Sequence, residues 1–415
     1  MTAVTLSKGN LVFYFPFPTV GGVSVLFLRL AKVLKENWSV VLMDHPDGYM
    51  AQNLPEGVGF LSIFDKSSLP PDSILILQGC YPWRITNFED FPGTIRVLFW
   101  HLHPDNFFPY VFYGWRKRFP HRLLHLFFSS NRLRRGKSFV VKLLARDSLF
   151  FMDMPNVRGV EAHLGINIES PEKRILRIST DKAEGSGTTT FSHEKLRLAW
   201  LGRVEDFKTS ILLHTLERLD KISCPKSKFV IIGSGKDLKI VENFSKSLNN
   251  LEVLMMGEVD FQQICETLSD VDVLFAMGTS ALEGARFRVP TILTDFSYDQ
   301  IEGFYRYEMI YQKEGYSLGE RIDHSHLEDT CSLGSLLEDI ALNPNLYASR
   351  CHEYWKEFFS PSVFVSEFDS VVEKTKMTCK DIVDCGDHLA DWPTKMLYKM
   401  RACQGRYNPK PGWQY

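Results

Sequence analysis

The feature that most constrains this chain is an alternation that occurs twice. In the first block, short apolar runs, NLVFYFPF (10–17), SVVLMDH (39–45), SILILQG (73–79) and TIRVLFWH (94–101), each close in a polar or glycine-containing turn. Runs apolar at nearly every position suit strands covered on both faces, as in a parallel sheet packed between helices. Between the first two lies VSVLFLRLAKVLKEN (23–37), apolar on a helical period. Strand, Gly21-Gly22 turn, helix and strand therefore make a βαβ unit.

The second block repeats the logic. KLRLAWLG (195–202), KFVIIGSG (228–235), LEVLMMG (251–257), VDVLFAMG (271–278) and PTILTD (290–295) alternate with helical patterns over 210–221, 236–248, 261–270 and a helix beginning near Ser280. A chain of 415 residues exceeds one ordinary core, so two parallel-sheet α/β domains are expected. The boundaries read as 1–175 for the first domain, 176–194 for a linker or insert poor in large apolar residues, and 195–350 for the second domain. A helical segment over 351–376, broken at Ser360-Pro361, and a Cys-, Trp- and Tyr-rich tail over 377–415 follow.

Composition excludes several classes. Apolar residues make up 44% and charged residues 24%, ordinary for a globular protein. Eight cysteines without a CxxC pair indicate neither a zinc site nor a disulfide framework, so reduced thiols in the cytoplasm are expected. The run LVFYFPF (11–17) is too short to span a bilayer and no cleavage pattern follows it. Neither export by an obvious signal nor anchoring by a helix of its own is expected.

Ligands of open α/β sheets bind beyond the carboxyl ends of the strands. Four such loops of the second block are legible: Gly202-Arg203, Gly233-Ser234-Gly235, Gly257-Glu258-Val259 and Met277-Gly278-Thr279-Ser280. In WLGRVEDFK, Arg203 and Lys208 stand five apart, either as loop charges paired with Glu205 and Asp206 or as two cations for a diphosphate. Gly278, Thr279 and Ser280 open a helix whose unpaired N–H groups favour a phosphate. Glu283, three residues after Ser280, reads as its capping-box partner or as a ligand for ribose hydroxyls. The GSG at 233–235 has Leu238 where a dinucleotide fingerprint needs glycine, so it reads as a tight strand-to-helix turn. Asp270 and Asp272 spell a DxD, but one ends a helix and the other enters a buried strand, so no metal site is assigned.

WLGRVEDFK, VIIGSG, MMGEV and MGTSALEGARFRVPTIL, in this order and spacing, resemble the C-terminal half of retaining GT-B glycosyltransferases of the family 4 group. The resemblance covers about 195–300 and, more loosely, the Gly21-Gly22 loop and the C-terminal helix. It implies two Rossmann-like β/α/β domains facing each other across a cleft, with Arg203 and Lys208 on the donor diphosphate and Glu283 on the donor ribose. The family's first glutamate would fall at Phe275, so Gly278, Thr279 and Ser280 are left to hold the donor sugar. His101 and His103, in FWHLHPDN, resemble the family's cleft histidine and join Arg203 and Lys208 as candidate catalytic residues. The C-terminal helix is expected to return to the N-terminal domain, and no metal or other cofactor is implied.

Charge is unevenly placed. From Asn106 to Arg146 there is no Asp or Glu but ten Lys or Arg, at 116, 117, 118, 122, 132, 134, 135, 137, 142 and 146, interleaved with Trp115, Phe119, Leu123, Leu124, Leu126, Phe127 and Phe128. Such a segment, led by Arg116, Lys117, Arg118 and Arg122, suits an anionic membrane surface, unless it is simply a solvated helix face. Nothing else in the chain resembles a nucleic-acid-binding fold. The expectation is a glycosyltransferase using a UDP- or GDP-sugar and a lipid-linked or glycan acceptor, at the cytoplasmic face of a membrane, in polysaccharide or glycolipid assembly. Two rivals remain: a nucleotide-sugar 2-epimerase, which would need carboxylates such as Asp44, Asp47 or Asp105 for proton abstraction, and a binding protein without turnover.

Overall fold

A computed structural model describes residues 7–17, 21–103, 106–107, 121–181, 196–222, 227–323, 333–392 and 395, with backbone alone for 121–132, 206 and 261. The chain forms two compact units, 1–179 with 361–415 and 180–360.

In the first unit the chain runs β1 (Asn10–Tyr14), α1 (Gly22–Leu34), β2 (Ser39–Asp44), α2 (Tyr49–Gln52), β3 (Gly59–Ser62), β4 (Ile74–Gln78), β5 (Arg96–His101), α3 (His121–Ala145), β6 (Leu149–Phe151) and α4 (Met154–Leu164). The six strands are all parallel, in the order β3-β2-β1-β4-β5-β6. Leu11 to Tyr14 of β1 are fully buried, as are Val97 to Trp100 of β5. Both lie inside the sheet, where a run apolar at every position finds a helix on each face. On α1, Leu26, Phe27, Leu30, Ala31 and Leu34 recur at helical spacing and turn inward.

The second unit runs β7 (Arg197–Leu201), α5 (Thr209–Lys221), β8 (Ser227–Ile232), α6 (Leu238–Ser245), β9 (Leu251–Gly257), α7 (Phe261–Ser269), β10 (Val273–Ala276), α8 (Thr279–Arg286), β11 (Thr291–Leu293), β12 (Glu308–Met309), α9 (Leu333–Leu342) and α10 (Pro344–Phe358). Its sheet has the order β12-β11-β10-β7-β8-β9, parallel except for β12. Central β7 pairs with β8 and β10, so the loops after β7, β8, β9 and β10 leave from one edge.

At the opposite edge the DxD finds its use. Arg197, the first residue of β7, donates from its backbone N to Asp272 Oδ2 (2.7 Å) and from its guanidinium to Asp272 Oδ1 (2.9 Å), and it also pairs with Asp270. The two aspartates fasten the entry of β10 to that of β7. They lie away from the loops in which a donor-site metal would be sought.

Pro361 has no N–H to continue a helix, and the helical stretch 351–376 divides there into α10 and a separate α11 (Pro361–Lys374), followed by α12 (Cys379–Asp384). α11 and α12 pack in the first unit. Arg96 donates to Val372 O (3.0 Å), Val97 N donates to Met377 O (2.7 Å), and Arg177 pairs with Glu367.

Candidate functional site

In the second unit, three of the four strand-end loops are stitched together through their backbones. Gly202 N donates to Ile232 O (3.0 Å), Val204 N to Ser234 O (2.9 Å) and Gly233 N to Gly257 O (2.8 Å). A β-carbon on Gly233 would lie 2.1 Å from Gly202 O, and one on Gly235 would lie 2.2 Å from Val204 O. Glycine is required at both places because one main chain lies directly on another. That contact, rather than a cofactor, accounts for the GSG. Asp237 completes the seam: its N–H donates to Val204 O (3.1 Å) and its carboxylate accepts from the Thr209 hydroxyl (2.9 Å), which fixes the start of α5.

Lys208 precedes α5 and turns back over Gly202. The position of a β-carbon on Gly202 lies 3.6 Å from Lys208 Nζ and 4.0 Å from Ser280 Oγ, so the first and fourth loops converge on this point. Lys208 is partly buried, and no carboxylate lies within ion-pair distance of its ammonium among the described residues. Loss of surrounding water, followed by the nearby Arg203 charge, pushes its pKa down to about 8, with Glu205 acting the other way. Arg203 is 55% exposed and pairs with Glu205. The cations thus differ. Arg203 has a carboxylate partner in solvent, whereas Lys208 is a desolvated ammonium over a glycine.

The fourth loop departs from a simple capping box. Gly278, at φ 63° and ψ −141°, is the N-cap of α8, so Ser280 is the second helical residue and Glu283 the fifth. Only glycine adopts that backbone readily. Gly278 N donates to Leu318 O (2.6 Å), a partner forty residues away that the sequence did not point to. Glu283, 5% exposed, accepts from the Arg286 guanidinium at 2.5 Å. In this structure the carboxylate expected to meet ribose hydroxyls is engaged within its own helix. Phe275, at the family's first-glutamate position, is fully buried in β10 between the rings of Phe229 and Tyr307, so no carboxylate could serve a ligand from there. Glu258 is exposed and accepts from Ser234 Oγ (3.3 Å), beside half-buried Val259.

In the first unit, Gly21 caps α1 with its N–H donating to Ser24 Oγ (3.0 Å), and the space beside Gly22 is open to 4 Å. His101 ends β5 fully buried, stacked on Phe107 (4.9 Å) and edge-on to Phe151 (5.4 Å), and neither ring nitrogen has a hydrogen-bond partner among the described residues. Burial, then His103, depresses its pKa to about 3, so its ring is neutral near pH 7. His101 is a core residue here, and only His103 is partly exposed. Asp44 is also fully buried. It accepts N–H groups of His45 (2.7 Å), Met50 (2.9 Å) and Phe17 (3.2 Å), latching the segment before the Gly21-Gly22 turn, while Asp47 contacts His45. Asp44 is thus taken up by main-chain N–H groups, Asp47 is exposed, and Asp105 lies outside the described residues.

Part of the basic segment is structural. Arg135 donates to Gly386 O (2.8 Å), Lys137 to Gly165 O (2.6 Å) and Lys142 to Asp387 Oδ2 (2.8 Å). Arg116, Lys117 and Arg118 lie outside the described residues, and so does the Arg122 side chain. Among the described residues no helix is long and apolar enough to cross a membrane.

The chain matches no family model and no curated protein by sequence. Its architecture does match solved structures. HepE of Anabaena in complex with UDP aligns with a TM-score of 0.56 at 9% identity, over 88% of this chain and 99% of that one. A glycosyltransferase from Rickettsia africae aligns at 0.55 and 12%, over 89% and 99%. The apo lipopolysaccharide outer core galactosyltransferase WaaB aligns at 0.52 and 10%, over 88% and 99%. At these identities the likeness shows the fold, the two-domain α/β GT-B architecture.

Proposed function

We propose that this chain transfers a sugar from a nucleoside-diphosphate sugar, UDP- or GDP-linked, to a lipid-linked or glycan acceptor, with retention of anomeric configuration. The observation that carries the reading is the Lys208 ammonium, partly desolvated and without a carboxylate partner among the described residues, over Gly202 and beside the start of α8. Such a group is stabilised by an anion, and its neighbours are what a diphosphate requires: the Arg203 fork and the N–H groups of Thr279 and Ser280.

The chemistry follows from where charge develops. As the glycosidic bond breaks, negative charge grows on the leaving diphosphate while the anomeric carbon becomes cation-like. Fixed cations at the diphosphate stabilise that transition state more than the ground state. In this reading the cations do the neutralising, without a metal, and the leaving phosphate oxygen assists deprotonation of the acceptor hydroxyl on the same face. The fold is shared with HepE, solved with UDP and with UDP-glucose, and with WaaB, a lipopolysaccharide galactosyltransferase. By that analogy the acceptor belongs to cell-surface polysaccharide or glycolipid assembly at the cytoplasmic face of an anionic membrane.

Melting temperatures measured with UDP, GDP, ADP and CMP test the donor site, because a ligand selective for the folded state raises the midpoint. A rise with at least one diphosphate is expected, and it is largely lost in Arg203→Ala and Lys208→Ala. No rise with any of them overturns the assignment. Product analysis with nucleotide sugars then separates transfer from isomerisation and from binding without turnover.

A further inference from the structure

A buried carboxylate outside the four strand-end loops reaches both halves of the proposed diphosphate site. Asp295 lies two residues past the end of β11 and is 5% exposed. Its Oδ2 accepts from Lys313 Nζ (2.7 Å) and from the Tyr305 hydroxyl (3.0 Å), and its Oδ1 accepts from Glu320 N (3.0 Å). Lys313 also pairs with Glu308 (3.2 Å), and Glu308 with Arg306 (3.1 Å). Two acids thus meet two cations, so the cluster adds no net charge beside an anion. Lys313 titrates above the ordinary lysine range: burial opposes its charge, and Asp295 and Glu308 outweigh burial.

From Asp295 the main chain carries the constraint in two directions. Through Glu320 it holds a strap, 317–322, in which Phe296 N donates to Glu320 O (2.9 Å) and Ile322 N to Phe296 O (2.9 Å). Leu318 O in this strap is the acceptor of Gly278 N, the cap of α8. The strap lies close on the end of β11, since a β-carbon on Gly319, at φ 111°, would lie 2.8 Å from Thr294 O. In the other direction the Phe296 ring packs on Phe207 (5.1 Å) and Ser297 N donates to Phe207 O (3.0 Å), one residue before Lys208. The start of α8 and the Lys208 ammonium are linked through one side chain. A buried ion pair adds little net stability over apolar packing, but with both oxygens engaged it specifies one arrangement of the chain around it.

We propose that Asp295 is a positioning residue of the donor site: by holding Glu320 N and the turn into Ser297, it sets the start of α8 and Lys208 in place for one diphosphate. The proposal rests on the reading of those loops as a diphosphate site, and it assigns Asp295 no contact with the ligand.

Titration with UDP or GDP, whichever raises the melting temperature of the wild type more, tests it between pH 7 and pH 9, beside amide hydrogen exchange without ligand. Asp295→Ala is expected to bind about tenfold or more weakly at pH 7. It should also lose the fall in affinity toward pH 9, because Lys208, released from its place over Gly202, titrates in the ordinary lysine range. Exchange of the Gly278 and Ser297 amides should quicken about tenfold or more, while the Val204 and Gly233 amides keep wild-type protection. Asp295→Asn retains an oxygen for Glu320 N and is expected to recover most of the affinity and the pH dependence. Gly319→Ala strains the strap while the carboxylate stays, and it is expected to quicken Gly278 exchange and weaken binding even if Asp295→Ala does not fold. Wild-type affinity in Asp295→Ala or in Gly319→Ala overturns the proposal. So does weakened affinity with an unchanged pH dependence or without recovery in Asp295→Asn, which marks a general loss of fold. If the wild type binds neither nucleotide, the donor-site reading fails and the role of Asp295 with it; if the wild type binds and Asp295→Ala matches it, the positioning role fails alone.

Discussion

Lys208 Nζ stands 3.6 Å from the point where a β-carbon on Gly202 would sit. Glycine at that place leaves a recess floored by main chain and overlooked by an ammonium with no carboxylate partner among the described residues. In the reading proposed above, this pairing of one missing side chain with one ammonium makes the strand-end loop an anion site, and it governs what substitutions here should do.

Diphosphate affinity should fall as the solution becomes alkaline. With its pKa at about 8, free Lys208 is mostly charged at pH 7, and about a tenth remains charged at pH 9. Binding needs the charged form, so affinity for the preferred diphosphate is expected to drop roughly tenfold between pH 7 and pH 9. Lys208→Arg, protonated throughout, should flatten the profile. The sign for stability is opposite. The unfolded chain holds this proton up to the ordinary lysine range, so the ligand-free protein gains stability from Lys208 as pH rises through 8. Titration calorimetry across this pH range, beside urea unfolding without ligand, reads both slopes.

Gly202→Ala and Gly233→Ala should separate binding from folding. The first adds a methyl group in ordinary contact with Lys208, at φ 152°, and is expected to cost about 1–2 kcal/mol of stability while filling the recess and lowering diphosphate affinity at least tenfold. The second drives a methyl group onto Gly202 O, so the seam must open, and a loss of about 3 kcal/mol or more is expected. If Gly202→Ala binds diphosphate like the wild type, the recess is not the anion site.

How much of this was legible depends on whether the cause is local. The buried strands were readable because each is a short run with apolar residues on both faces, and the four loops because glycine ends them. β3, β6 and β12 escaped notice, being two to four residues long, and β3 is exposed or half-buried throughout. The seam between Gly202 and Gly233 and the bond from Gly278 to Leu318 are contacts between main-chain atoms, which no residue type announces. Glu283 shows the opposite failure. Its spacing from Ser280 fits a capping box, but the N-cap is Gly278 rather than Ser280, and the carboxylate turns to Arg286. Likewise the histidines of FWHLHPDN carry a chemical signal, and only packing shows that the first is sealed beneath Phe107 and Phe151.

His101 should act on stability in acid. Its folded pKa of about 3 lies below the unfolded value near 6.5, so between these pH values the unfolded chain binds more protons and stability is lost as pH falls. The slope approaches about 1.4 kcal/mol per pH unit for one such group. Urea unfolding at pH 7, 6 and 5 should show this loss in the wild type and a shallower one in His101→Leu. An unchanged slope in the variant would place His101 in contact with water.

The two aspartates of the DxD should prove unequal. A metal-binding pair would lose ligand affinity when either is removed, and affinity would follow added divalent cation. Here Asp272 is fully buried beneath Arg197, whereas the Asp270 side chain is 76% exposed. Asp272→Ala strands the guanidinium and the backbone N–H of Arg197, and since Arg197 keeps a quarter of its exposure the cost is expected near the lower end for a broken buried pair, about 3 kcal/mol. Asp270→Ala removes a solvated contact and should cost about 0–1 kcal/mol. Neither change touches the loops around Gly202, so both folded variants should bind diphosphate with wild-type affinity, with or without a chelator. Urea midpoints and diphosphate titrations of the two variants decide the matter, and a loss of affinity in Asp270→Ala that added magnesium restores would return the motif to the donor site.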